Sequence, residues 1–130
     1  MLAEDHPVNQ RVTQALLTQL GHQVSLADDG QQCLDLLKQL RVDVLLLDMT
    51  MPHKNGQAVL KEIRRGRAGC AAQLPVVMLT GQAMSGDEAR FRSLGADGYL
   101  SKPINLVNLE KEMMRLCLSE TAKVSQRPTQ

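Results

Sequence analysis

The sequence has 130 residues, 43% of them hydrophobic, so it is long enough for one buried core and too short for two ordinary domains. Fifteen basic and fourteen acidic residues leave a formal charge of +1, which creates no strong field toward nucleic acid or an anionic membrane. Three widely spaced cysteines favour free thiols in a reducing compartment. No apolar run approaches the roughly eighteen residues that span a bilayer. These features predict one cytoplasmic domain.

Short apolar runs alternate with helical patterns along the chain. This alternation is typical of a parallel sheet, because each strand needs a helical crossover to return the chain to the same edge. Glycine and proline mark most of the boundaries. The first two units are a strand over residues 1–3, a helix from Pro7 to Gly21, a strand over residues 23–27, and a helix with its buried stripe at Leu34, Leu37 and Leu40.

The uninterrupted apolar run at residues 44–47 predicts a strand that is covered on both faces and therefore central, and this strand ends at Asp48. Three more units follow, which gives an α/β, doubly wound, five-stranded parallel sheet. They contain a helix with Val59, Leu60 and Ile63, a strand over residues 76–79 that ends at Thr80, a helix that starts with the Ser85 and Glu88 capping pattern and stops at Gly95, a strand over residues 98–100, and a helix opened by Pro103.

The last twelve residues, 119–130, are polar and show no periodicity. Such a segment cannot bury enough apolar surface to order itself. We predict a folded domain over residues 1–118 and a disordered tail or linker over residues 119–130.

Polar side chains follow four of the predicted strands: Glu4 and Asp5, Asp48, Thr80, and Lys102. Because the carboxyl ends of parallel strands share one edge, where ligands bind at the reversal of strand order, these side chains should converge. Three crowded carboxylates repel one another unless a cation joins them, and oxygen ligands with vacant positions suit Mg²⁺. A carboxylate can attack phosphorus, so Asp48 is the candidate nucleophile and Lys102 the compensating ammonium group.

Four stretches of the sequence resemble the receiver domain of response regulators in two-component signalling. They are AEDHPVNQ, LLLDMTMPHKNG, VVMLTGQAMSGDE and GADGYLSKPI, and the resemblance covers residues 1 to about 118. Two segments are most similar in sequence to receivers of hybrid sensor histidine kinases: VNQRVTQALLTQLGHQVSLADDG and FRSLGADGYLSKPI. The resemblance implies a flavodoxin-like sheet of order 2-1-3-4-5 and a domain that takes a phosphoryl group from phosphohistidine.

The same resemblance assigns roles at the site. Asp48 would be the phosphoacceptor, and Mg²⁺, for which Mn²⁺ could substitute, would be held by Asp5, Asp48 and the backbone carbonyl of Thr50, with Glu4 acting mainly through water. Thr80 and Lys102 would bind the phosphoryl group. A two-state switch would couple Thr80 to Tyr99. Thr50 and Gln82 would tune the loss of the phosphoryl group.

The resemblance also implies partners: a histidine kinase or a histidine phosphotransfer protein, with no direct nucleic-acid contact and no membrane contact by this segment. The domain would catalyse its own Mg²⁺-dependent phosphotransfer and autodephosphorylation without being a conventional enzyme. It could belong to a membrane-bound hybrid kinase whose cytoplasmic part it forms.

Two other functions remain open at this point. A haloacid dehalogenase-like phosphatase also places an aspartate after a buried strand, but it needs a second acid at the position that Thr50 occupies. A degenerate receiver that acts only as a docking module would be expected to have lost Asp48, Lys102 or the acidic pair. Taken alone, Arg64, Arg65 and Arg67 are interpreted as a solvated charge run.

The first strand is shorter than in the family, which usually has about five apolar residues before its acidic pair. We hypothesise a fragment of a longer protein, or a first strand that a neighbouring chain completes by pairing or swapping, which would give a dimer.

Overall fold

The computed structural model describes residues 1–70, 72–81 and 87–124. Within these residues, five strands alternate with five helices. In chain order they are β1 (Leu2–Ala3), α1 (Pro7–Gln19), β2 (Leu26–Ala27), α2 (Gly30–Leu37), β3 (Leu45–Asp48), α3 (Gly56–Arg64), β4 (Val76–Thr80), α4 (Asp87–Ser93), β5 (Gly98–Ser101) and α5 (Leu106–Val124).

The strands form one parallel sheet in the order β2-β1-β3-β4-β5. This confirms the predicted doubly wound sheet of order 2-1-3-4-5. The chain winds from β1 outward to β2, then returns past β1 to β3, so the strand order reverses between β1 and β3. The crevice outside the carboxyl ends of these two strands is where such sheets bind ligands.

The core has two layers because successive strand side chains point to opposite faces of the sheet. In β3, Leu45 and Leu47 pack with α2, α3 and Phe91 of α4, whereas Leu46 packs with α1 and α5. All three leucines are at most 1% exposed. Each contributes roughly 1.5–3 kcal/mol through burial, so this strand holds its carboxyl end firmly in place.

The predicted strand over residues 23–27 is wrong in length, since β2 contains only Leu26 and Ala27. Its pairing partner explains the difference: β2 hydrogen-bonds only to β1, and β1 offers only Leu2 and Ala3. The shortened first strand was predicted, but its effect on the neighbouring strand was not.

Helix boundaries differ from prediction at two places. Leu40 is 41% exposed because α2 already ends at Leu37, so it is not part of the buried stripe. Pro103 does not open α5; Asn105 does, accepting a hydrogen bond from the Asn108 N–H through its Oδ1 at 2.8 Å. Asparagine is among the best N-cap residues, and here it overrides the proline signal.

The carboxyl end of α5 is Val124, six residues beyond the predicted domain boundary at 118. Residues 125–130 lie outside the described residues, as does Ser85 of the predicted capping pattern. Residues 119–124 of the predicted disordered tail therefore lie in α5, and disorder stays a prediction for residues 125–130 alone. No helix among the described residues combines the length and hydropathy needed to cross a bilayer.

Arg64 is not part of a solvated charge run. Its guanidinium donates to the backbone oxygens of Gly95 at 2.8 Å, Ala72 at 2.8 Å and Leu74 at 2.7 Å, and to Asp97 Oδ2 at 2.9 Å. The same carboxylate oxygen accepts the Val76 N–H at 2.9 Å. Arg64 therefore ties the end of α3 to the segments that enter β4 and β5.

Candidate functional site

The polar side chains predicted to form the site do lie at the carboxyl ends of the strands: Asp48 and Thr80 end β3 and β4, and the others come just after β1 and β5. Backbone hydrogen bonds continue past the strands and fix this edge. Glu4 N–H donates to Ala27 O at 3.0 Å, Met49 N–H to Leu79 O at 3.0 Å, and Lys102 N–H to Thr80 O at 2.7 Å. The segments that carry the site are thus held by the sheet itself.

Three carboxylates meet at this edge. Glu4, Asp5 and Asp48 each offer an oxygen, and these oxygens all lie within 4.8 Å of one another. Glu4 is 1% and Asp48 4% exposed, whereas Asp5 faces solvent. Crowded, buried negative charge is unfavourable unless cations compensate it.

Lys102 supplies part of that compensation. Its Nζ lies 2.8 Å from Glu4 Oε1 and 3.1 Å from Asp48 Oδ1. Burial disfavours the charged form of this lysine, but hydrogen bonds and Coulomb attraction from the two carboxylates outweigh it and raise its pKa. The ammonium group is therefore firmly charged and placed between two buried anions.

The charge of Lys102 does not compensate the negative charge of the three carboxylates. Burial, together with the neighbouring Glu4 carboxyl, raises the pKa of Asp48 from 3.8 to about 6, although Lys102 acts in the opposite direction. The fully ionised cluster is consequently strained, and a further cation beside Asp48 would relieve that strain.

The donor set fits Mg²⁺. Glu4 Oε1 is buried and has no hydrogen bond of good geometry within the described residues, although it faces the Lys102 ammonium. Asp5 adds an exposed carboxylate on the open side, so bound water could complete an octahedral shell. All three side chains carry hard carboxylate oxygens, which suit this cation either directly or, for the lysine-paired Glu4, through bound water.

The other predicted site residues are placed as follows. Thr50 N–H lies 3.3 Å from Asp48 Oδ1. Thr80 is the last residue of β4 and is 8% exposed. Tyr99 is half-buried in β5, with its ring centroid 5.7 Å from that of Phe91 and the planes tilted by 49°. Gln82 lies outside the described residues.

Gly56 brings the first turn of α3 against the phosphoacceptor candidate. Its N–H donates to Met49 O at 3.1 Å, and a Cβ built on it would overlap the backbone oxygen of Asp48. Only glycine permits this approach, because any side chain would push the end of β3 away. The glycine in HKNG is therefore required by packing beside the site.

Sequence reasoning missed Gln10. Its side-chain Nε2 donates to Glu4 O at 3.0 Å and to Asp28 Oδ1 at 2.9 Å, so it links the acidic loop after β1 to the turn after β2. A glutamine on the second turn of a helix is an ordinary surface residue, and no spacing in the sequence marks this bridge.

A five-stranded doubly wound sheet with a buried aspartate, two further carboxylates and a lysine at the reversal of strand order matches the arrangement expected of a phosphoacceptor signalling domain. The chain belongs to the response regulator receiver domain family, which matches residues 1–114. It is thus a receiver domain of two-component systems, homologous to phosphoacceptor domains of hybrid kinases.

Three relatives illustrate the similarity. The chain is 36% identical to Hybrid signal transduction histidine kinase I of Dictyostelium discoideum, over 81% of this chain and 6% of that protein. It is 41% identical to the transcriptional regulatory protein CpxR of Escherichia coli, over 81% of this chain and 43% of that protein. The receiver domain of a sensor histidine kinase from Pseudomonas aeruginosa, solved with magnesium in its active-site cleft, superposes with a TM-score of 0.77 at 35% identity, covering 88% of this chain and 93% of that one.

The chain spans less than half the length of the two curated relatives. One is a hybrid kinase and the other a transcriptional regulator. What the family establishes for this chain is the receiver module itself.

Proposed function

We propose that this chain accepts a phosphoryl group on Asp48 from the phosphohistidine of a histidine kinase or histidine phosphotransfer protein. One observation carries the proposal: a buried carboxylate at the end of a central strand lies 3.1 Å from an ammonium group and within 4.8 Å of two more carboxylates. A structural carboxylate does not need such crowding, but a nucleophile that works beside a cation does.

In the transfer step, an Asp48 carboxylate oxygen attacks phosphorus while the phosphorus–nitrogen bond to the donor imidazole breaks, and the imidazole keeps the electron pair. Lys102, now shared between Glu4 and Asp48, would turn toward the phosphoryl oxygens and offset their charge. The Thr80 hydroxyl, on the neighbouring strand end, would donate to another phosphoryl oxygen.

Asp5, Asp48 and the backbone carbonyl of Thr50 would hold Mg²⁺, or Mn²⁺ in its place, and Glu4 would act mainly through water. When bound, the cation neutralises charge on the phosphoryl oxygens and orients the group for in-line displacement. The burial of Glu4 against Lys102 supports its indirect role, since direct ligation would compete with this ion pair.

The phosphorylated domain would act as a switch. Thr80 would move toward the phosphoryl group, and Tyr99 would follow into the space beside it, changing the face formed by α4 and β5. Thr50 and Gln82 would set the rate of autodephosphorylation. The exposed position of Thr50 next to Asp48 supports such a role, because it borders the path of an attacking water.

The partner would approach over α1. Val8 and Val12 are 61% and 46% exposed, and they line a cavity of about 240 Å³ with Pro103 and Ile104 beside the acidic site. An apolar patch next to a reactive centre is the usual mark of a protein-binding surface. A histidine-bearing helix docked there would place its imidazole over the phosphoacceptor.

This docking surface has a direct test. Val8→Asp and Val12→Asp should slow transfer from a phosphorylated histidine protein at least tenfold, while leaving phosphorylation by acetyl phosphate unchanged, because the small donor needs no docking. Leu40→Asp, at an exposed leucine beyond the end of α2, is the matched control. Equal losses with both donors would reject the surface.

Two rival functions make different predictions. The phosphatase alternative lacks an acid at Thr50 to serve turnover on outside substrates, so no hydrolysis of a general phosphomonoester is expected. The docking-only alternative predicts no phosphorylation, yet Asp48, Lys102 and both acids are present and close together. We propose on these grounds a phosphoacceptor that is not a conventional enzyme.

A second interaction is proposed at the opposite end of the sheet. A cavity of about 710 Å³ lies between residues 21–25 and 41–44. The Met1 ammonium donates to Val44 O at 2.8 Å and so continues the β1–β3 ladder toward it. A strand from a neighbouring chain could add there, giving a dimer or a strand swap. Sedimentation over a hundredfold concentration range tests this, and a constant monomer mass would reject it.

The domain would work in the cytoplasm, either alone or as the cytoplasmic part of a membrane-bound hybrid kinase. The near-zero net charge and the presence of only one phenylalanine and one tyrosine argue against direct contact with membranes or nucleic acids by this segment. Vesicle and oligonucleotide binding assays should both be negative at physiological salt, and binding in either would overturn this part of the proposal.

The main experiment is incubation with Mg²⁺ and acetyl phosphate followed by intact-mass measurement. One added phosphoryl mass is expected for the natural chain, none in EDTA and none for Asp48→Asn. Modification that persists in Asp48→Asn would mean that another residue is the phosphoacceptor. Absence of modification although Mg²⁺ binds would favour the docking module.

A further inference from the structure

The side chain of Gln10 joins two loops at the edge of the acidic site. Its Nε2 has two hydrogens, and they are directed to Glu4 O at 3.0 Å and Asp28 Oδ1 at 2.9 Å. Glu4 O belongs to the peptide group that connects Glu4 to Asp5. The bond therefore fixes the orientation of the peptide from which the Asp5 side chain departs.

The other end of the bridge is itself anchored. The Asp28 N–H donates to Gln32 Oε1, and the Gln32 N–H donates to Asp29 Oδ1 at 2.7 Å, where Asp29 caps α2. Asp28 thus belongs to a turn that is hydrogen-bonded to the first turn of a helix. The hydrogen bond from Gln10 to Asp28 therefore attaches the Gln10 side chain to a well-anchored turn.

The two acids of the loop differ in how they are held. The Glu4 carboxylate is buried, with Lys102 Nζ at 2.8 Å and the His6 N–H at 3.2 Å from its oxygens. The Asp5 side chain is exposed and has no hydrogen bond or ion pair within the described part of the chain. Its position depends on the backbone that carries it. The Glu4 N–H holds this backbone to Ala27 O at 3.0 Å, and the Gln10 side chain holds the following peptide at Glu4 O.

We propose that Gln10 is a positioning residue for Mg²⁺, which it serves by holding the Glu4–Asp5 peptide in the orientation that directs Asp5 toward Asp48. The inference rests on the proposed function, since it concerns the same site. Residues outside the ligand set often contribute to metal affinity in this way, because a preorganised ligand loses less freedom on binding.

The test is Gln10→Met, which keeps the length and helix propensity of the side chain and removes both donors. Mg²⁺ affinity is measured by titration calorimetry on the whole chain. Loss of one or two partly exposed hydrogen bonds predicts a dissociation constant raised about three- to tenfold. Gln19→Met, at an exposed position at the end of α1, is the control and should bind Mg²⁺ like the natural chain.

Two substitutions at the anchor separate the hydrogen bond from the charge. Asp28→Asn keeps an oxygen acceptor for Gln10 and removes the charge, whereas Asp28→Ala removes both. If the bridge positions the loop, Asp28→Ala weakens Mg²⁺ binding more than Asp28→Asn does. In the Gln10→Met background the two Asp28 variants should then bind Mg²⁺ equally, because no bridge is left to break.

Thermal unfolding in EDTA distinguishes positioning from general stability. A structural role alone would lower the melting temperature and leave the dissociation constant of the folded protein unchanged, and that result would overturn the inference. Equal Mg²⁺ affinity of Gln10→Met and the natural chain would do the same while leaving the proposed function intact. Both proposals would fail if the natural chain bound no Mg²⁺, or if the Asp48→Asn variant bound Mg²⁺ as tightly as the natural chain does.

Discussion

Replacing Asp48 by asparagine should make the metal-free protein more stable. The pKa of this carboxyl is raised from 3.8 to about 6, chiefly by burial and then by the Glu4 carboxyl. At 1.36 kcal/mol per pKa unit, its ionisation costs the folded state roughly 3 kcal/mol at neutral pH. Asparagine has nearly the same shape and cannot ionise, so it removes most of this cost.

The gain should be smaller than the full cost. The amide cannot reproduce the ion pair with Lys102 at 3.1 Å, although its oxygen can still accept from the Thr50 N–H. We expect Asp48→Asn to raise the free energy of unfolding by about 1–3 kcal/mol at pH 7.5 in EDTA. Urea denaturation followed by circular dichroism measures it, and Asp35→Asn, on an exposed helix face, should change stability by less than about 0.5 kcal/mol.

The pH dependence follows from the same shift. For a carboxyl whose pKa is raised on folding, the destabilisation is complete above the folded value, about 6, and absent below the unfolded value, near 3.8. The stability difference between the two proteins should therefore shrink as the pH falls from 7 to 4. Mg²⁺ should stabilise the natural chain at pH 7.5 and leave the variant almost unchanged.

A contrary result is easy to recognise. If Asp48→Asn in EDTA were no more stable than the natural chain, or if the difference did not depend on pH, the acidic cluster would not be strained. The resting site would then have no energetic need for a further cation.

Three further substitutions test the framework around the site. Arg64→Ala should lower the free energy of unfolding by about 1.5–3 kcal/mol, because it leaves three backbone oxygens and a carboxylate without their donor. Arg65→Ala, at an exposed position, is the control and should change it little; urea titration measures both. Asn105→Ala should cost about 1 kcal/mol by loss of the α5 cap, and Asn108→Ala much less, in the same assay. Gly56→Ala should lower the melting temperature and slow phosphorylation by acetyl phosphate, since its Cβ would displace the end of β3; an unchanged rate would contradict the close approach.

The sequence pattern predicted the five-stranded parallel sheet, the family resemblance supplied its strand order, and the two together predicted which charged side chains meet at its edge. The apolar run 44–47 needs cover on both faces, and from this follow a central β3 and a buried Asp48 at its end. Glu4 and Lys102 follow β1 and β5 at the same edge, and the parallel topology brings both side chains to Asp48. Thr80 ends β4 at this edge. The apolar runs mark the strands, and the carboxyl ends of parallel strands share one edge, so the positions of these side chains follow from the chain itself.

What sequence could not give were the interactions between loops. Arg64 looks like one member of a surface charge run until the chain folds and brings Gly95 and Asp97 beside it. Gln10 carries no pattern that predicts a contact with Asp28. The length of β2 was mispredicted because strand propensity is a property of a single segment, whereas a strand also needs a partner strand. The partner here is β1, which pairs through only two residues.

The candidate site differs from the rest of the core in burying charged side chains. Among the residues that the structure describes, the other buried side chains are almost all apolar, but at the reversal of strand order two buried carboxylates share a single lysine. Packing of β1, β3 and β5 holds these groups together against their repulsion, which is how a fold stores strain at a functional site. Mg²⁺ and a phosphoryl group would each change the charge at that point, so each would shift the balance between conformations of the loops that carry Thr80 and Lys102. On the proposed function, relief of this repulsion by Mg²⁺ or by a phosphoryl group is what would drive the switch.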